Sequence, residues 1–171
     1  QREDGLIPDV APAYWNYYTG DVTWPAAFLF ICDMLYAQYG NIEPIKKNYA
    51  AMIKWTNFLK EEYMHDGLIT KDKYGDWCVP PEKLNLVHSQ DPSRQTDGVL
   101  IASAYYIQQL NLMIKFAHIL NQTEFVEDWN QTKQEMVRAF NEKFLVVKKG
   151  SSPRPDHLLY PDSIYYANNT I

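Results

Sequence analysis

Cysteine and glycine are both scarce in this sequence, at 2 and 7 of 171 residues. No glycine-rich phosphate-binding loop is present, which argues against nucleotide chemistry of that type. Cys32 falls within a helical pattern and reads as a small buried hydrophobe, whereas Cys78 falls in a loop. A disulfide between them is compatible with the sequence but not implied by it. Long runs of one charge are also missing. Lys46-Lys47 and Lys148-Lys149 are only pairs and the net charge is −5, so nucleic-acid binding is not expected. No apolar run reaches the length of a membrane span, and the best, from Ala26 to Cys32, stops at Asp33. His65, His88, His118 and His157 show no metal-ligand spacing.

Aromatic residues are abundant, at 15% with 13 Tyr and 5 Trp. Such a composition suits a carbohydrate-handling protein, although large helical cores use aromatics too. The length is that of one domain with room for a real core. Asn-x-Thr triplets at Asn121, Asn130 and Asn168 carry meaning only in a eukaryotic secretory setting. The sequence opens at Gln1 without an initiator Met and closes on Asn168-Asn169-Thr170-Ile171, a helix-start signal. A piece of a longer protein is the expectation.

Residues 1–22 read as a loop broken by Asp4-Gly5, Pro8, Pro12 and Gly20, with Tyr14, Trp15, Tyr17 and Tyr18 clustered in it. A first helix is expected from Thr23 as cap, with Pro25 in its first turn, a stripe of Phe28, Ile31, Leu35 and Tyr39, and a stop at Gly40. A second runs from about Ile42, with Pro44 in its first turn, to about Met64. Ile45, Tyr49, Met52, Leu59 and Tyr63 form its stripe, Trp55 lies at the edge, and Asp66-Gly67 ends it. The third begins at Thr96 or Asp97, with Leu100, Ala104, Ile107, Ile114 and Ala117 marking its buried face. Asn121 and Glu124 have capping-box spacing for the fourth, whose stripe is Phe125, Trp129, Met136, Phe140 and Phe144. The organisation is thus all-α. One helical hairpin covers 23–64, a long loop 65–95, a second hairpin 96–147, and a further element starts within 148–171.

Short links alternate with long ones, so in a stack of hairpins the long loops emerge at one end. Asp21 and Trp24, the Asp76-Trp77 pair, and Arg94 and Asp97 then share one rim beside the first and third helices. Gly75 before Asp76-Trp77 and Pro80-Pro81 after it stiffen that loop. An indole face with a carboxylate beside it can hold a sugar, the ring stacking and the acid accepting from hydroxyls. The plainer reading makes Trp77 a core cap and Asp76 a turn residue. Glycosidic cleavage needs two carboxylic acids flanking the bond. Asp21, Asp76, Glu82, Asp91 and Asp97 lie near the rim, but none has a sequence neighbour that raises its pKa. His88, Ser89 and Asp91 do not make a triad, since adjacent residues lack the geometry and no strand-turn-helix elbow frames Ser89.

Several of these motifs together resemble the catalytic domain of bacterial α-L-rhamnosidases, glycoside hydrolases of family 78, especially the forms from gut Bacteroidetes. The resemblance rests on Ala11-Pro12-Ala13-Tyr14-Trp15, Val22-Thr23-Trp24-Pro25, Met34-Leu35-Tyr36-Ala37-Gln38-Tyr39-Gly40 and above all Tyr74-Gly75-Asp76-Trp77-Cys78-Val79-Pro80-Pro81-Glu82. Tyr105-Tyr106, Ala139-Phe140-Asn141 and Tyr166-Ala167-Asn168-Asn169-Thr170 continue it in order along nearly the whole chain. The resemblance implies part of an (α/α)₆ barrel, with the active site at the N-terminal ends of its inner helices. It also implies removal of terminal L-rhamnose from a glycan with inversion, no cofactor, and a periplasmic or secreted bacterial location. It places the general acid before Gln1 and the general base after Ile171. Asp76, Trp77, Trp24 and, with a looser match, Asp21 are left as substrate-binding wall. Two hairpins are a third of such a ring, so the remainder of the barrel is the expected partner of their apolar faces. A six-hairpin hydrolase for another sugar and a non-catalytic helical-repeat scaffold remain the competing readings.

Overall fold

The computed structural model describes residues 1–12, 17–75, 96–147 and 163–165, with the backbone alone for 146–147 and 163–165. Its helices are α1 (Ala27–Tyr39), α2 (Glu43–Tyr63), α3 (Gly98–Leu120) and α4 (Val126–Phe144). Two small antiparallel ladders accompany them. β1 (Met64–His65) pairs with β2 (Leu68–Ile69), and β3 (Leu145–Val147) pairs with β4 (Ser163–Tyr165). The second half of the expected long loop, with Asp76, Trp77, Cys78 and Arg94, lies outside the described residues.

The first hairpin follows its sequence signals closely. Gly40 ends α1 in the left-handed conformation, its N–H donating to the Tyr36 carbonyl at 2.8 Å. Pro44 sits in the first turn of α2, where a missing N–H costs nothing. The start of α1 differs from expectation. Thr23 is not the helix cap. A tight turn over 22–26 comes first, and regular helix begins at Ala27. Pro25 disfavours helical geometry at Trp24, which keeps the helix from reaching back.

Asp66-Gly67 does not end α2, which stops at Tyr63 with Met64 already extended. Asp66 and Gly67 both have positive φ, 51° and 74°, which is the backbone of a two-residue hairpin turn between β1 and β2. That turn lies on α4: a Cβ built on Gly67 would sit 3.0 Å from the Ala139 Cβ. At the other end of the loop, of the two expected starts, Thr96 and Asp97, it is Asp97 that caps α3, its Oδ1 accepting from the Val99 N–H at 2.8 Å. The expected capping box at Asn121 does not form. Asn121 terminates α3 with φ 53°, a left-handed geometry that Asn tolerates. Helix α4 starts without a side-chain cap, with Glu127 and Asp128 favourably placed in its first turn.

Helix α3 is the centre of the packing, lying against α1, α2, α4 and β2. Helices α2 and α4 bury the stripes read from sequence: Ile45, Tyr49, Met52, Leu59 and Tyr63 on one, Trp129, Met136, Phe140 and Phe144 on the other. Trp55 is fully buried and not at an edge. The other two stripes were misplaced. On α1 the core residues are Leu29 and Cys32, while Ile31 is 50% and Tyr39 78% exposed. On α3 the buried face is Tyr106, Gln109, Leu110, Met113 and Phe116; of the expected set only Ala117 is in the core. Three buried hydrogen bonds fix the layers in register. Trp55 Nε1 donates to Gln109 Oε1 at 2.8 Å, Tyr106 Oη to the Thr56 carbonyl at 2.8 Å, and the Ile69 N–H to Ser103 Oγ at 3.0 Å.

Candidate functional site

Of the residues expected at the rim, Asp21 and Trp24 lie where the turn before α1 meets the segment that leaves β2. Asp21 is the crossing point. It is 0% exposed. Its Oδ2 accepts from the Trp24 N–H at 2.7 Å and from Thr23 Oγ1 at 3.0 Å, which caps the turn over 22–26. Its Oδ1 accepts from the N–H groups of Lys73 and Tyr74, both at 3.0 Å. One carboxylate thus serves both segments. Asp72 returns the bond: its Oδ1 accepts from the Val22 N–H at 3.4 Å, and its carboxyl hydrogen-bonds to Asp21.

These two acids take opposite charge states. Burial pushes the Asp21 carboxyl up, but the hydrogen bonds from Asp72, Trp24, Tyr74 and Lys73 outweigh it and hold Asp21 below the usual carboxylate range. Burial, then the hydrogen bond and negative charge of Asp21, push Asp72 up to about 7, against the N–H groups of Val22 and Lys73. Asp21 is therefore the ionised member and Asp72 the protonated one in mildly acidic solution. The buried Asp72 Oδ2 accepts no hydrogen bond from the described residues, which suits its being the atom that carries the shared proton.

Above this pair lies an aromatic platform. Trp24 is 41% exposed, and its ring meets that of Tyr74 with centroids 4.4 Å apart and planes 30° apart. Tyr74 is fixed at both ends. Its N–H goes to Asp21, and its hydroxyl donates to Asp9 Oδ2 at 3.0 Å. Asp9 in turn accepts from Thr19 Oγ1 at 2.8 Å and the Thr19 N–H at 3.3 Å. The Tyr74 hydroxyl is pushed above its usual range by burial and then by Asp9. Gly75 follows directly, so the chain is held in place up to the residue before Asp76.

Of the four residues expected to face a sugar, the structure brings Asp21 and Trp24 together. Trp24 presents its ring to solvent, whereas Asp21 turns inward and its oxygens are committed to the two backbone segments. Asp76 and Trp77 lie outside the described residues. Sequence reading missed Asp72 and Asp9. Asp72 stands between Lys71 and Lys73 and looks like one of three surface charges. Only the positive-φ Asp66-Gly67 turn, by setting the direction of the chain into 70–75, betrays that it turns inward.

A cavity of about 990 Å³ opens beside Trp24, between the N-terminal segment and α1. Ile7, Phe28, Ile31 and Leu35 line it. A sugar site needs converging polar groups, and this cavity is mostly apolar, with Gln1, Asp9, Thr23 and Asn48 as its polar lining. Among the described residues no group of three or more His, Cys, Asp or Glu is placed to hold a metal. No described helix is long and apolar enough to cross a membrane.

The chain matches the family model described as the bacterial alpha-L-rhamnosidase 6 hairpin glycosidase domain over residues 1–170. An alpha-L-rhamnosidase of Formosa agariphila is 27% identical over 137 residues, 80% of this chain and 14% of that protein. One from Alteromonas sp. (strain LOR) is 26% identical over 166 residues, 93% of this chain and 17% of that protein. The chain therefore spans less than a fifth of the length of these curated relatives. The alpha-L-rhamnosidase structure from Dictyoglumus thermophilum superposes with a TM-score of 0.73 at 31% identity, over 84% of this chain and 15% of that one. The Streptomyces avermitilis alpha-L-rhamnosidase complexed with L-rhamnose shares the fold, with a TM-score of 0.71 at 23% identity over 87% of this chain and 13% of that one. The two hairpins are thus part of a helical-hairpin barrel, and the chain belongs to the bacterial α-L-rhamnosidase six-hairpin glycosidase family.

Proposed function

We propose that the protein containing this chain is an exo-acting α-L-rhamnosidase that hydrolyses terminal α-L-rhamnose with inversion, and that this segment supplies one wall of its sugar site. The observation that carries the reading is the Trp24–Tyr74 platform, set at the start of α1 on a buried pair of acids in a chain of this family. Rhamnose is a 6-deoxy sugar, and its apolar face and methyl group suit an exposed indole. Trp24 is the stacking residue at this position. Asp76 and Trp77, which follow Gly75 in the sequence, are the further sugar-binding residues of this proposal. Asp21 acts from beneath, by fixing both segments. Both catalytic carboxylates come from parts of the protein outside these residues, so this chain binds and orients while other segments protonate the leaving group and activate water.

The experiment is a time course on the complete protein with an aryl α-L-rhamnoside, following free sugar by proton NMR. β-L-rhamnose appearing first supports the reading. α-L-rhamnose appearing first refutes inversion. If no rhamnose is released while another glycoside in a panel is cleaved, the substrate assignment fails and the glycosidase fold remains.

A further inference from the structure

We propose that Asp72 is a positioning residue for this sugar site, the hydrogen-bonded partner through which Asp21 latches the 72–75 segment to the start of α1 and sets the Trp24–Tyr74 platform. The inference rests on the rhamnosidase reading for its substrate, but not for its geometry.

The latch is reciprocal. Asp21 accepts from the backbone of Lys73 and Tyr74, and Asp72 accepts from the backbone of Val22. Each acid holds the other's segment, and the two carboxyls meet between them. Asp72 is closely housed. A Cβ on Gly98, the first residue of α3, would lie 3.3 Å from the Asp72 Cβ, and one on Gly75 would lie 3.3 Å from its Oδ2. Among the described residues, the charged and titratable groups around it are few. Asp21 faces it from the turn before α1. Asp97 stands beside Gly98 at the start of α3, its Oδ1 on the Val99 N–H. Lys73 and Tyr74 belong to its own segment, and the Tyr74 hydroxyl is turned away to Asp9.

A protonated Asp72 donates to Asp21 and draws the segments together. An ionised one sets two carboxylates in contact and parts them. The sign follows from linkage. Asp72 holds its proton more tightly in the folded site, up to about 7, than in an opened one, near 3.8. The latch is therefore fully present below the ordinary carboxylate value, weakens as pH rises, and reaches its minimum above about 7. Asp72→Asn keeps both bonds, the new amide donating to Asp21 and its carbonyl accepting from Val22, with no proton to lose.

The test uses hydrogen–deuterium exchange of peptides covering 20–24 and 71–75 in the complete protein, corrected for the intrinsic rate at each pH. Wild type is expected to lose protection in both peptides by up to about tenfold per pH unit between roughly pH 5.5 and 7, then to level off. Asp72→Asn should show no such loss, and Asp72→Ala should exchange fast throughout. The KM for an aryl α-L-rhamnoside should rise over the same window in wild type, with the rise absent in Asp72→Asn. Flat exchange in wild type, or the same pH dependence in Asp72→Asn, overturns the latch. Loss of protection with an unchanged KM ratio overturns the positioning role. If no rhamnoside is cleaved, the substrate reading falls together with the positioning role for that sugar, and the exchange data alone decide the latch.

Discussion

Replacing Asp21 by Asn separates two roles that its position allows. The carboxylate is fully buried and, besides the bond from Asp72, accepts four hydrogen bonds, three of them from backbone N–H groups. An amide has one accepting atom. If the Asn carbonyl faces Lys73 and Tyr74, its NH₂ points at the Trp24 N–H, donor against donor. If it turns round, the two loop N–H groups lose their partner. Either way at least one buried N–H is left unsatisfied, at about 1–3 kcal/mol, and charge-assisted bonds become neutral ones. Asp21→Asn should therefore destabilise the domain by roughly 2–4 kcal/mol, read as a lower melting temperature by calorimetry on the complete protein. The deficit has a pH signature. Because Asp21 is held below its ordinary value of 3.8, its contribution is present above that value and disappears as pH falls through the folded one. Wild type and variant should converge in strong acid. A variant with wild-type stability near neutral pH and only a raised KM would refute this reasoning and make Asp21 a direct sugar contact.

Other outcomes follow from single contacts. Trp24→Ala removes the exposed half of the aromatic platform and should lower kcat/KM for the rhamnoside by about 1 kcal/mol, roughly fivefold, with the melting temperature little changed. Gly67→Ala places a Cβ 3.0 Å from Ala139 at φ 74° and should cost about 1–3 kcal/mol by calorimetry, whereas an unchanged melting point would mean that α4 gives way. Trp55→Phe leaves Gln109 without its partner in a site that is 0% exposed; about 2–3 kcal/mol lost in denaturant unfolding is expected, and a neutral change would show that Gln109 finds another donor.

Capping and turn chemistry read correctly where a single residue type has one use. Gly40 could only stop a helix, Pro44 could only begin one, and Asp97 before Gly98 capped α3. They misread where a residue has two uses. Asn121 serves equally as a helix start or a left-handed stop, and the structure takes the second. Asp66-Gly67 can end a helix or close a hairpin, and the two apolar residues after it, Leu68 and Ile69, were the sign of a strand. The site was legible in part for a related reason. Trp24 announces itself by size, whereas the acids that position it, Asp72 and Asp9, are ordinary loop residues until distant chain covers them.

The contrast between helices points to the position of each in the larger domain. The apolar residues of α2 and α4 fall on one stripe because each has one buried side and one side in water, so period alone locates the core. Helices α1 and α3 are apolar on several sides, and for them period selects nothing. For α3 the structure supplies the reason: it is enclosed by α1, α2, α4 and β2. For α1 it does not, since Ile31 and Met34 are about half exposed, at 50% and 53%, beside the apolar cavity that Phe28 and Leu35 help to line. An apolar surface of this kind marks a contact that is not yet made. In a domain of six hairpins, the rest of the domain is available to make that contact. The same ambiguity that hid the buried face of α1 from sequence reading is therefore what a helix packed on more than one side requires.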